Sequence, residues 1–130
     1  MKPPLSGLAV ALAALLLSAQ AHAQNARLAC QGIIGDAPAA LSGVRQYAPY
    51  NALGDGYVRF VGKVSAAGIS GRIAYEGYTR TAPFSGVIVI PGRQFRVAVL
   101  DNTGGQMIVY DGTPTLGPPR EIGRFRCIWQ

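Results

Sequence analysis

Past residue 23, polar and apolar side chains alternate with a period of two, which places successive residues on opposite faces of a strand. From Tyr57 to Ala66, Val58, Phe60, Val64 and Ala66 share one face, while Tyr57, Arg59 and Lys63 share the other. Ile69, Ile73 and Tyr75 then alternate with Ser70, Arg72 and Glu76. Phe84 to Ile90 is nearly all apolar, the pattern of a strand buried on both faces or packed at an interface. Beyond Pro91-Gly92, Phe95, Val97 and Val99 alternate with Gln94, Arg96 and Ala98, and Met107 to Tyr110 follows the turn-forming run Asp101 to Gly105. At the two ends, Leu28 and Cys30 share a face, as do Phe125, Cys127 and Trp129 opposite Arg124 and Arg126. No stretch after Gln24 carries a clean 3.6-residue period.

Turn signals recur every ~8–12 residues, the spacing of an all-β sandwich or barrel. The pattern predicts one all-β domain over residues 24–130, a small antiparallel barrel or sandwich of about seven or eight strands. Its expected core is Leu28, Cys30, Val58, Phe60, Val64, Ile69, Ile73, Tyr75, Phe84, Ile88, Ile90, Phe95, Val97, Val99, Met107, Val109, Phe125, Cys127 and Trp129. The least regular stretches, Asp36 to Gly56 and Thr113 to Glu121, hold Pro38, Pro49, Pro114, Pro118 and Pro119 and read as loops. Ile73, Tyr75, Glu76, Gly77 and Pro83 correspond in type and spacing to Ile108, Tyr110, Asp111, Gly112 and Pro118, a short match that strand-then-turn chemistry also produces.

The first 23 residues read as a signal peptide. Lys2 opens a short positive region, Leu8 to Leu17 is apolar, and Ala21 and Ala23 supply the small residues that precede a cleavage point before Gln24. Cleavage before His22 is the alternative. The apolar run falls well short of the ~20 residues that span a bilayer. Export, to the periplasm or the exterior, is therefore expected. In such an oxidising compartment Cys30 and Cys127, the only two cysteines, read as one disulfide closing the chain end to end. A bridge requires the first and last strands to lie side by side or to face each other across a core.

Loss of residues 1–23 removes Lys2 and His22 and no acidic side chain, so the net charge falls only from +6 to +5 and no histidine remains. Without an imidazole, Ser-His-Asp and Cys-His nucleophile systems and the usual His-containing zinc sites are excluded. Gly56 and Gly62-Lys63 do not make a phosphate loop, because the spacing is wrong and Val64 stands where a hydroxyl is required. Asp101 to Gly105 lacks the side-chain ligands and closing Glu of a calcium loop. Glu76 and Asp111, each following a tyrosine, are the only nameable pair of carboxylates for acid/base work; the expectation is solvated strand ends opposing arginines. The sequence thus predicts no enzyme, no cofactor and no metal.

Arginine supplies the remaining chemistry. Arg59, Lys63, Arg72 and Arg80, with Arg96, Arg124 and Arg126 by the same parity count, are expected to point outward. On neighbouring strands they would form an Arg-rich face, with Tyr57 and Tyr78 among it, suited to carboxylates, phosphates or an acidic protein surface. The expected function is a non-catalytic exported binding protein for an acidic protein or anionic envelope polymer; export argues against intracellular nucleic acid as the target.

In a few positions the chain resembles the small periplasmic inhibitors of c-type lysozyme. The shared residues are Leu28-Ala29-Cys30-Gln31-Gly32 after a signal peptide, the late Cys127, and Ser70-Gly71 followed by Tyr75. In that family the tyrosine follows one residue sooner, and a Trp and a Lys-Gly come after it. Here Trp129 is near the end of the chain and Gly62-Lys63 precedes Ser70-Gly71. The resemblance implies an exported β-barrel whose disulfide reaches its C-terminal end, and makes inhibition of a lysozyme-like hydrolase the alternative function. A small carboxylate-dependent hydrolase is the second alternative.

Overall fold

The computed structural model describes residues 25–102, 105–114 and 116–130, so the segment read as a signal peptide lies outside the described residues. The chain forms β1 (Asn25–Ile34), β2 (Ala37–Pro49), β3 (Gly56–Ala66), β4 (Ile69–Tyr78), β5 (Phe84–Ile90), β6 (Arg93–Asn102), β7 (Gln106–Asp111) and β8 (Glu121–Trp129). A single 3-10 turn, Thr79–Thr81, separates β4 from β5. Each strand pairs antiparallel with the next, and β8 pairs back onto β1, giving a closed eight-stranded barrel. Closure leaves no sheet edge for another chain to extend. At the closing seam Cys30 lies directly opposite Cys127, and the two form the disulfide. Of the two expected all-β architectures, barrel or sandwich, the chain adopts the barrel, with the expected end-to-end bridge.

Alternation decides what fills the barrel. Leu28, Cys30, Val58, Phe60, Val64, Ile73, Tyr75, Phe84, Ile88, Val97, Val99, Met107, Val109 and Phe125 all point inward and are buried, as their parity predicts. The rings of Phe60, Tyr75 and Phe84 stack in sequence across β3, β4 and β5, with centroids 5.0 and 5.7 Å apart. Other expected core residues sit at the barrel ends. Ile69 is 51% and Trp129 42% exposed, while Ile90, Phe95 and Cys127 are only partly buried. The parity was right in each case, but an inward side chain in the last turn of a barrel has solvent on one side.

The largest departure is β2. The stretch Asp36 to Gly56, expected to be irregular, contains the longest strand of the barrel. Its inward residues include Ala39, Leu41 and Arg45, all buried. The prolines do not interrupt the ladder because of where they fall. Pro38 lies beyond the first β2–β3 pair, Ala39 with Ala66, and Pro49 is the last residue of the strand. The irregular stretch from Thr113 onward is a loop as expected, with β8 starting at Glu121. Phe84–Ile90 is not buried on both faces: Ser85 is exposed, and Val87 and Val89 are half-buried on the barrel exterior. The matched segments at Ile73 and Ile108 also have opposite phase. Tyr75 points into the core, whereas Met107 and Val109 are the inward residues of β7 and leave Tyr110 half-buried.

The two barrel ends differ. At the end holding the β2–β3 and β4–β5 connections, Arg45 donates from Nε and Nη2 to Asp101 at 2.8 and 3.1 Å, and the Tyr75 hydroxyl donates to Asp101 at 2.5 Å. The Arg45 guanidinium also stands 5.8 Å from the Trp129 ring centroid. Asp101, expected to begin a turn, is therefore the last inward residue of β6 and part of a polar plug. At the opposite end the lining is apolar and includes Ile34, Ile69, Ile90, Phe95 and Ile122.

Candidate functional site

On the outer side of β1, β3, β4 and β8, Arg27, Arg59, Lys63, Arg72 and Arg126 have no carboxylate within 4.0 Å among the described residues, although Glu121 of β8 pairs with Arg124. No acidic residue occurs in β1, β2 or β3, and the one in β4, Glu76, accepts a short hydrogen bond from the Tyr57 hydroxyl. That bond holds the Tyr57 phenol above its ordinary pKa. Register sets the rest. Ala29, Ser42, Lys63 and Arg72 form one row across β1 to β4; Arg27, Val44, Val61 and Ala74 form the next; Gln31, Ala40, Ser65 and Ser70 lie on the other side. Arg126 of β8 stands beside Gln31.

Small side chains in the middle of these rows leave the surface low, and the long cations stand up as walls. One shallow groove, about 590 Å³, is lined by Gln31, Ser42, Lys63, Ser65, Ser70 and Arg126 among others. A second, about 470 Å³, runs between Arg27, Val44, Val61, Lys63 and Arg72. A third depression of about 830 Å³ continues from Arg126 to Arg124 and Gln106. Lys63 belongs to the first two and Arg126 to the first and third, so the depressions form one arc around the barrel.

All seven cations expected on the face are exposed, but they are not all together. Arg59, Lys63, Arg72 and Arg126 share the outer face of β3, β4 and β8, and none has a carboxylate within 4.0 Å among the described residues. Arg96 also lacks one but lies on β6, opposite Val87 of β5, away from this group. Arg80 sits in the 3-10 turn and donates to Asp55 at 2.8 Å. Arg124 is bonded to Glu121 at 2.7 Å, and that contact holds the Glu121 carboxyl below its ordinary pKa. Arg27, not expected on the face, completes it. Its parity opposite to Leu28 and Cys30 was the available signal.

The tyrosines lie at the end of the barrel that holds the β2–β3 loop. Tyr57 and Tyr78 are opposite one another with ring centroids 5.0 Å apart, and Tyr50 meets Tyr78 edge-on at 6.1 Å. Glu76 and Asp111 do not form a pair. They sit on the non-adjacent strands β4 and β7, and Asp111 is occupied by the Thr113 backbone N–H, with Arg120 3.5 Å away. Ser70 and Gly71 lie at the start of β4, bordering the first groove. No cluster of His, Cys, Asp or Glu able to hold a metal ion occurs among the described residues. None of their helices is long and apolar enough to cross a membrane. No protein family, curated protein or solved structure matches this chain.

Proposed function

We propose that this is an exported, non-catalytic barrel that binds an extended anionic partner along the arc running from Arg27 and Arg72 past Lys63 to Arg126. The carrying observation is that these four cations border connected grooves on strands with few acidic residues, and none has a carboxylate within 4.0 Å among the described residues. Cations left unpaired on one face raise the local potential, and guanidinium groups accept planar anions in bidentate fashion. Such a face fits an acidic protein segment or an anionic envelope polymer. The test is binding to polyglutamate over a salt series. Lys63→Ser with Arg72→Ser is expected to weaken binding at least about tenfold at low salt and to flatten its salt dependence. Unchanged binding in that variant removes the arc from the reading.

Inhibition of a secreted hydrolase is the second reading, supported by the β2–β3 loop. The Asn51 carboxamide accepts from the N–H groups of Leu53 and Asp55 and donates to the Asp55 carboxylate, and the Tyr50 N–H donates to the Asp55 carbonyl. Arg80 and the Tyr47 hydroxyl brace the loop from outside. This bracing holds Leu53 at the tip, 82% exposed. A stiff loop with an apolar tip loses little entropy on entering a cleft. Inhibition of a c-type lysozyme that disappears in Leu53→Asp would favour this reading over the first.

A further inference from the structure

The open end of the barrel has a different chemistry from its outer face. A concavity of about 240 Å³ enters the barrel there. Ile34, Ile69, Ile90, Phe95 and Ile122 surround it, Ile88 lies deeper, and among the described residues no polar side chain lines it. Ile34, Ile90, Phe95 and Ile122 pack against the core with one side left open, and Ile69 is exposed, so the ring keeps apolar surface in contact with water. The sequence reaches the arrangement with a specific device. The β7–β8 ladder passes from Val109–Gly123 to Tyr110–Glu121, so Ile122 is the extra residue of a bulge, and it borders the concavity. A cation stands at the rim. The Arg93 guanidinium lies 4.5 Å from the Phe95 ring centroid, and no carboxylate reaches it among the described residues.

We propose that this mouth binds the acyl chain of a single-chain anionic amphiphile, with the chain among the isoleucines and the headgroup against Arg93. The occupant follows from size and charge. An apolar cavity of roughly 150 Å³ takes up benzene, so the present volume suits a chain of about eight to ten carbons. An unpaired guanidinium stacked on the rim ring is placed for an anionic end left in water, and it selects a carboxylate over an uncharged alcohol. At the opposite end Arg45, Asp101 and Tyr75 are bonded together, and the depression beside Arg45 and Asp101 measures only about 10 Å³ among the described residues. The site is separate from the outer arc and does not depend on its role.

Decanoate and decanol, each below its aggregation limit, are the probes, titrated into the disulfide-bonded protein by calorimetry and by methyl NMR. The expected result is that decanoate binds roughly tenfold more tightly than decanol, and that Arg93→Gln abolishes the difference while sparing decanol. Methyl shifts should concentrate at Ile34, Ile88 and Ile122. Ile69→Trp, at a half-exposed position that tolerates the change, should block both probes, while Lys63→Ser with Arg72→Ser should leave both bound. Absence of decanoate binding overturns the proposal, and so does equal binding of the two probes. Methyl shifts confined to the outer face overturn it without any variant.

Discussion

An arginine inside a barrel of this size has to be neutralised where it stands, because a lone buried charge costs several kcal/mol. Arg45 is 9% exposed, and both of its hydrogen-bonding nitrogens meet Asp101. Asp101→Ala is therefore expected to cost about 3–5 kcal/mol, measured by denaturant unfolding, because the guanidinium is left unpaired. Arg45→Met and Asp101→Leu combined with Tyr75→Phe should recover most of that loss, since the charge, its partner and the hydroxyl that donates to it are removed together. Tyr75 reports on the same plug. Burial, then the Asp101 charge and hydrogen bond, hold its phenol far above the ordinary range. The unfolded chain releases that proton near pH 10 while the folded chain keeps it, so stability is full below about pH 10 and falls as pH rises further. Among the six tyrosines, Tyr75 should ionise only as the protein unfolds, and Tyr75→Phe should flatten the alkaline decline. Absorbance at the phenolate band, followed beside circular dichroism, separates the two events.

At the scale of elements, β2 shows what alternation conceals. Its inward positions hold Ala39, Leu41, Gly43, Arg45 and Tyr47, a series with no apolar period, although every one occupies an ordinary strand site. The inward phase became visible only in partners: Gly43 lies opposite Gly62 of β3, and the Phe60 ring covers both. A Cβ on Gly62 would fall 2.3 Å from the Ser42 carbonyl oxygen and 2.8 Å from the Phe60 ring. Gly62→Ala should therefore cost about 1–3 kcal/mol, although alanine is otherwise the better strand residue, because backbone and ring must shift to admit one methyl. The β3–β4 hairpin offers the opposite case. Ala67 and Gly68 both have positive φ, 53° and 77°, the geometry of a two-residue turn that favours Asn-Gly. Ala67→Asn should stabilise by roughly 0.5–1 kcal/mol in thermal unfolding, and a loss instead would show that the turn is not held in that conformation. The strands rich in branched and aromatic residues were legible for the same reason that β2 was not: their burial is carried by side chains large enough to mark the phase.

For the whole molecule, closure is the event that ties sequence to architecture; the cysteine positions required the first and last strands to lie side by side or to face each other across the core, and the fold takes the first arrangement. Every strand pair but one joins chain neighbours, whereas β1 and β8 meet only after the rest of the sheet has curled round. Which exterior residues become neighbours depends on that curl, so the parity of Arg126 and Arg27 was readable but their common face was not. The β1–β8 pairing also comes last in entropy, since it joins residues 97 apart. The bridge removes that cost from the unfolded chain, which the loop-entropy relation puts at about 4–5 kcal/mol for a loop of this length. Reduction should then lower global stability by up to that amount, and it also frees the β1–β8 seam to open locally. Hydrogen exchange provides the spatial check: amides of β1 and β8 around Cys30 and Cys127 should lose protection first, while β3 to β5, held by the Phe60–Tyr75–Phe84 stack, should open only with the whole barrel. If reduction lowers protection uniformly around all eight strands, the bridge acts on the unfolded ensemble alone and the seam is no weaker than any other strand pair.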